Sequence, residues 1–156
     1  MQERGAEQRS LFRRWPAGVS VVVAEVEGRR AALTVSSLTS LSLEPRLVGI
    51  SIALDASLHE LLRDADEWAV SILNGEQAHL AQHFARGVPP IVLWEGIPVR
   101  DDDPRLLMDA VGWVIARTVD QVTTGDHTFF VGEIVSIEEG NAGTSLIYLH
   151  RDYHGL

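Results

Sequence analysis

Short runs rich in β-branched residues, strung along the chain without a regular alternation with helices, constrain this sequence most. Val19 to Val26 is the first of them. Glu27-Gly28-Arg29 is a hairpin signal behind it, and Arg30 to Val35 supplies the return strand. Leu47 to Leu54 is almost unbroken in apolar residues, as expected of a strand buried on both faces. Trp68 to Leu73, Val111 to Val122, Phe129 to Ile137 and Leu146 to Leu149 complete the set. A doubly wound sheet needs a helix after nearly every strand, and these runs lack that spacing. The pattern predicts a mainly β fold with helical insertions, a barrel or a sandwich, built as a single domain over residues 1–156.

The insertions have their own signals. Glu7 to Trp15 reads as a short helix with Leu11, Phe12 and Trp15 on one face, ended by Pro16-Ala17-Gly18. Ser57, with Glu60 three residues later, reads as a capping box ahead of the helical stripe Leu58, Leu61, Leu62 and Ala65. Glu76 to Arg86 reads as a further helix, stopped by Gly87 and Pro89-Pro90. Thr34 to Pro45 is neither a good helix nor a clean strand, and the Asp101-Asp102-Asp103 run reads as a solvated loop.

Composition then removes whole classes of chemistry. The chain has 156 residues and no cysteine, which excludes disulfides, thiolate metal sites and cysteine nucleophiles. All 13 basic residues are arginine, so a Schiff-base lysine and a P-loop lysine are both impossible. The net charge of −9 opposes nucleic acid and anionic membranes as partners. No apolar run approaches the roughly 20 residues of a membrane span, and the N-terminus lacks a signal-peptide core. A cytoplasmic protein is expected.

Three clusters remain as candidates for chemistry. The hydroxyl-rich loop Thr34, Ser36, Ser37, Thr39, Ser40 and Ser42 offers donors to a phosphate without formal charge. The same hydroxyls can instead satisfy the local backbone. Gly125-Asp126-His127 pairs an imidazole with a carboxylate that can orient it, or forms a simple Asx turn. His79 and His83 share a helix face, but HLAQH lacks the glutamate of a metalloprotease helix; they read as solvent-facing, and no metal is expected. No GxSxG nucleophile signature is present.

Taken in order, four segments resemble the flavin reductase-like, FMN-binding split-barrel family, whose members are the NAD(P)H:flavin oxidoreductase components of two-component flavin monooxygenases and their stand-alone relatives. They are FRRWPAGVSVVVAEVEGRRAALTVSSLTSLSLEPRLVGISI, AVSILNGEQAHLAQHFA, GDHTFFVGEIVSIE and LIYLHRDYHGL. The resemblance implies a split β-barrel, FMN or FAD as the flavin, NADH or NADPH as co-substrate, a homodimer, and a flavin-dependent monooxygenase as partner. It implies that Thr34, Ser36, Ser37 and Ser40 lie against the phosphate and ribityl chain, with Ser57 near the phosphate. Ser51, Ile52 and Ala53 would line the isoalloxazine, Phe84, Ala85 and Arg86 would close its far side, and His127 and Tyr153 would flank the nicotinamide. The chain departs from the family pattern at Pro45-Arg46, where Pro-Pro is usual, and in a short segment after Ala85. An FMN-binding carrier or electron-transfer protein without fast NAD(P)H turnover is the alternative.

Overall fold

The structure, a computed structural model, describes residues 2–86, 90–141 and 143–156. In chain order it runs α1 (Gln2–Phe12), β1 (Ala17–Gly18), β2 (Ser20–Val26), β3 (Arg29–Val35), β4 (Thr39–Leu43), β5 (Arg46–Ala53), α2 (Ser57–Asp64) and β6 (Glu67–Ile72). It continues with α3 (Ala78–Ala85), β7 (Gly112–Thr124), β8 (His127–Glu139), β9 (Leu146–Leu149) and β10 (Asp152–Gly155). Seven strands form one antiparallel sheet in the order β3-β2-β6-β7-β8-β5-β4, and β1-β9-β10 form a second. The fold is mainly β, with the larger sheet curled but not closed: a split barrel.

The β2–β3 hairpin turns at Glu27 and Gly28, both at positive φ (52° and 80°), the geometry of a tight two-residue turn. β2, not β5, is the strand buried on both faces. Val22 and Ala24 enter one core with Ile50, Ile52, Trp68 and Phe130, while Val21 and Val23 enter a second with Leu80, Phe84, Leu107 and Leu146. β5 splits its faces instead: Val48, Ile50 and Ile52 point inward, and Ser51 and Ala53 are half-exposed. α2 plugs the first core with Leu58, Leu61 and Leu62, as its stripe requires.

A hydroxyl draws the curl together. The Ser37 hydroxyl accepts the Ser51 N–H (3.0 Å) and donates to the Ser51 carbonyl (3.1 Å), standing where a neighbouring strand would pair. Ser37→Ala would strip both backbone groups of their partner. A loss of about 1–3 kcal/mol is expected by urea denaturation.

Several boundaries correct the sequence reading. The first helix spans Gln2–Phe12, not Glu7 to Trp15, and Leu11, Phe12 and Trp15 are exposed rather than packed. Thr39–Leu43 is an edge strand on β5, where a run of hydroxyls gave no strand alternation. Ser57 is the first helical residue, Ala56 is the N-cap, and the capping box does not form. The helix stop at Gly87 and Pro89 lies outside the described residues. The acidic run is partly held down: Arg100 grips Asp102 (2.6 and 2.9 Å) and Glu138 (2.6 Å), and Arg105 grips Asp103 (2.8 and 3.0 Å).

Burial pushes the Asp103 carboxyl up, but hydrogen bonds from Arg105 outweigh it and hold it below the ordinary carboxylate value. A carboxyl depressed on folding stabilises the fold above its unfolded value, near pH 4, and that contribution fades as the pH falls through the folded one. Asp103→Asn and the parent chain should therefore differ in urea stability at neutral pH and converge below about pH 4.

Candidate functional site

A groove of about 880 Å³ opens where the β2–β3 hairpin, the start of α2 and the end of α3 meet. Its apolar walls are Ala32, Leu33, Leu61, Phe84 and Leu93. Its polar lining holds three arginines, Arg29, Arg30 and Arg86, against one carboxylate, Asp55. In a chain of net charge −9 that local excess of guanidinium is a signal for an anion. The first turn of α2 also lines the groove through Ala56 and Ser57, and no side chain caps it. Uncapped N–H groups at a helix start add a second set of donors for the same anion. The donor set fits a phosphate, and the apolar walls fit a planar ring beside it.

The sequence-derived residues fall into three neighbouring groups. Ser57, Phe84, Ala85 and Arg86 line the groove. Thr34, Ser36 and Tyr153 line a smaller pocket of about 150 Å³ with Val19, Val35 and Tyr148. Ser51, Ala53 and His127 share the outward face of the β5–β8 ladder, where Ala53 pairs directly with His127. Asp55, on the groove wall, follows Ala53 by two residues, at most about 7.6 Å of chain.

Some side chains are committed elsewhere. The Thr34 hydroxyl donates to the Ala81 carbonyl (2.6 Å) and Ser37 is the clasp described above. Ile52 is fully buried in the core, so its side chain faces away from the groove. Ser40 is exposed on the edge strand β4. His83 is half-buried and donates from Nε2 to the Leu93 carbonyl (2.6 Å), so only His79 of that pair faces solvent.

His127 is a half-exposed imidazole at the start of β8. Its Nδ1–H donates to the Asp126 carboxylate (2.6 Å), which fixes the tautomer and leaves Nε2 as the remaining polar atom. That hydrogen bond holds the Asp126 carboxyl below its ordinary value. The Gly125-Asp126 turn is pinned by Leu54, whose N–H donates to the Asp126 carbonyl (2.9 Å). Tyr153 packs against Tyr148 with ring centres 5.2 Å apart and planes tilted by 50°, and burial pushes its phenol up.

Sequence reasoning missed His59, which is 3% exposed and shares a hydrogen bond with the Thr128 hydroxyl (2.7 Å). It ties the first turn of α2 to the residue after His127. Its place beside Leu58 in the buried stripe was the available signal. Arg29, Arg30 and Trp94 were missed as well. Trp94 sits in a stretch whose sequence shows no periodicity.

A family model for the flavin reductase like domain matches residues 12–156. The chain is 36% identical over 143 residues to an NADH:riboflavin 5′-phosphate oxidoreductase of Streptomyces pristinaespiralis, covering 86% of this chain and 77% of that protein. It is 32% identical over 143 residues to the reductase component of a 4-hydroxyphenylacetate 3-monooxygenase of Thermus thermophilus, covering 92% and 91%. Among solved structures, the NADH:FAD oxidoreductase SgcE6 of Streptomyces globisporus superposes with a TM-score of 0.89 at 27% identity, covering 97% of this chain and 93% of that one.

Proposed function

This chain belongs to the flavin reductase-like family, and from that premise we propose that it reduces a flavin, FMN or FAD, at the expense of NADH or NADPH. The observation that carries the reading is the groove beside α2, where guanidinium and helix N–H donors converge next to apolar walls in an otherwise acidic chain. Arg86, Ser57 and the first turn of α2 hold the phosphate. Ser36 and Ser40 line the path of the ribityl chain, and Thr34 and Ser37 shape it through their own hydrogen bonds. Ser51 and Ala53 border the ring, with Phe84 and Ala85 on its far side. A bound flavin supplies a two-electron acceptor for the nicotinamide hydride. The protein contributes alignment, and no strong side-chain acid or base is needed. Held in one tautomer by Asp126, His127 presents Nε2 as an acceptor for the carboxamide N–H of the nicotinamide, with Tyr153 as a second wall.

The chain works as one domain over residues 1–156 and as a homodimer in the cytoplasm, passing reduced flavin to a monooxygenase. The dimer reading is supported by apolar residues exposed at the end of α1, in the turn after it and at the β4 edge, namely Leu11, Phe12, Trp15, Leu41 and Leu43. The monooxygenase is supported by a relative that is a reductase component. Among the described residues no helix is long and apolar enough to cross a membrane.

The test is steady-state consumption of NADH and NADPH by the purified chain, with and without added FMN or FAD. Flavin-dependent consumption of at least one nicotinamide is expected. Flavin binding without consumption of either would leave a carrier or electron-transfer protein in its place.

A further inference from the structure

Among the described residues, His59 is the one titratable side chain that is buried. Its neighbours Leu58, Leu61 and Leu62 already make α2 a plug for the larger core. Burying an imidazole against a hydroxyl adds little net stability there, because an apolar pair of similar shape does about as well. What the polar pair adds is direction.

His59 meets β8 at two points on one face. Its Nε2 is 2.7 Å from the Thr128 hydroxyl, and its ring stands edge-on to Phe130 with centres 5.7 Å apart. Nδ1 faces the Glu60 carboxylate (3.3 Å), an acceptor, so in the neutral imidazole Nδ1 carries the hydrogen and Nε2 accepts the Thr128 O–H. Thr128 and Phe130 are two residues apart and both buried. Two anchors on one face fix how the strand is turned about its own axis, and His127, one residue earlier, points to the opposite face. The direction of the outer imidazole is thereby set from the inner side.

The same bond closes a ring. The Ala56 N–H donates to the Ala53 carbonyl (3.1 Å), and the His59 N–H donates to the Ala56 carbonyl (3.0 Å). His59 then reaches Thr128, and His127 pairs back to Ala53 across the ladder. Asp55, Ala56 and Ser57, which line the groove, sit inside that ring. Nearby support is thin, since the facing stretch of β7 from Val119 to Thr124 is exposed throughout. Among the described residues, the His59–Thr128 contact is the only side-chain hydrogen bond that joins α2 to β8.

We infer that His59 and Thr128 are positioning residues for the nicotinamide: their buried bond registers the His127 imidazole against the groove lip formed by the start of α2. The inference rests on the flavin-reduction reading above and deepens it, adding a second histidine that is buried away from both ligands.

A double-mutant cycle on the intact chain, read by steady-state nicotinamide consumption and by flavin titration, tests this. Thr128→Val nearly keeps the shape and removes the hydroxyl. It is expected to lower kcat/KM for the nicotinamide about fivefold, the equivalent of one ordinary hydrogen bond, with the flavin dissociation constant unchanged. Thr128→Ser, which keeps the hydroxyl, should recover most of the loss. In the His127→Ala background, Thr128→Val should cost nothing further, because the hydroxyl acts only through that imidazole. A residue that merely holds the fold would slow both backgrounds by the same factor. Thr128→Val alone leaves the His59 Nε2 without a partner, so His59→Leu/Thr128→Val, which leaves neither group behind, is measured beside it and should show the same loss of rate. Equal losses with and without His127, or the parent rate in both Thr128→Val and the paired variant, would overturn the inference while flavin reduction stands. A fall in flavin affinity that matches the fall in rate would overturn it too, as would a His127→Ala chain at the parent rate. A parent chain that consumes neither NADH nor NADPH over bound flavin brings down the reductase reading, and this inference with it.

Discussion

Replacing His127 by alanine is expected to lower kcat/KM for the nicotinamide by about 10- to 100-fold, the equivalent of one well-placed hydrogen bond, with the flavin dissociation constant unchanged. The expectation follows from where His127 sits. It is on the β5–β8 ladder opposite Ala53, outside the groove beside α2, and Asp126 fixes which nitrogen it presents. Removing the imidazole should therefore misalign the hydride donor without loosening the flavin. His127→Gln, which retains an acceptor, should recover part of the rate. A steady-state comparison of the two variants, with flavin titrations alongside, separates these outcomes. Unchanged rates in His127→Ala would show that this imidazole plays no part in the reaction.

The largest stability effect should come from Trp68→Ala, with a cost of about 3–5 kcal/mol. Trp68 is fully buried in the larger core, and its indole N–H donates to the Thr118 hydroxyl (3.0 Å). β8 is built around it: a Cβ at Gly132 would lie 2.6 Å from its ring. The indole thus fills the notch that a glycine leaves, and its removal opens a cavity that neighbouring strands cannot collapse into. For a chain of this length the expected fall in Tm is roughly 6–20 °C by calorimetry. A loss under about 1 kcal/mol would mean that the β6–β8 packing is far more adaptable than this geometry implies.

The fold was readable wherever side-chain periodicity reports burial directly. β2, β6 and the first halves of β7 and β8 appear near their expected positions because their β-branched runs face a core, while the second halves of β7 and β8 keep the β-branched signal on exposed strand. The edge strand β4 and the short strands β1 and β10 escaped because little of their surface is buried, so nothing in the sequence demands alternation there. Ser57 misled for a related reason. A serine ahead of a helical stripe signals a cap, yet the backbone turned one residue earlier, and Ala56 took that position. The uncapped turn that results is part of what makes the groove attractive to an anion.

The candidate motifs were legible in the sequence and their assembly was not. TVSSL lies at the end of β3 and GDH at the turn into β8, and the resemblance they carry is matched by the family model over residues 12–156. What each hydroxyl does was hidden. Thr34 and Ser37 hold the protein's own backbone, which no spacing rule distinguishes from holding a ligand. Arg30 and Trp94 meet across 64 residues of sequence, so neither residue announces the other.

Anaerobic mixing of NADH with the FMN-loaded chain, following the nicotinamide and flavin absorbance bands together, tests flavin reduction most directly. A reductase with its flavin in this groove should bleach both bands at one rate and in equal amounts. A nicotinamide band that stays constant over bound flavin, with NADPH as well as NADH, would contradict it.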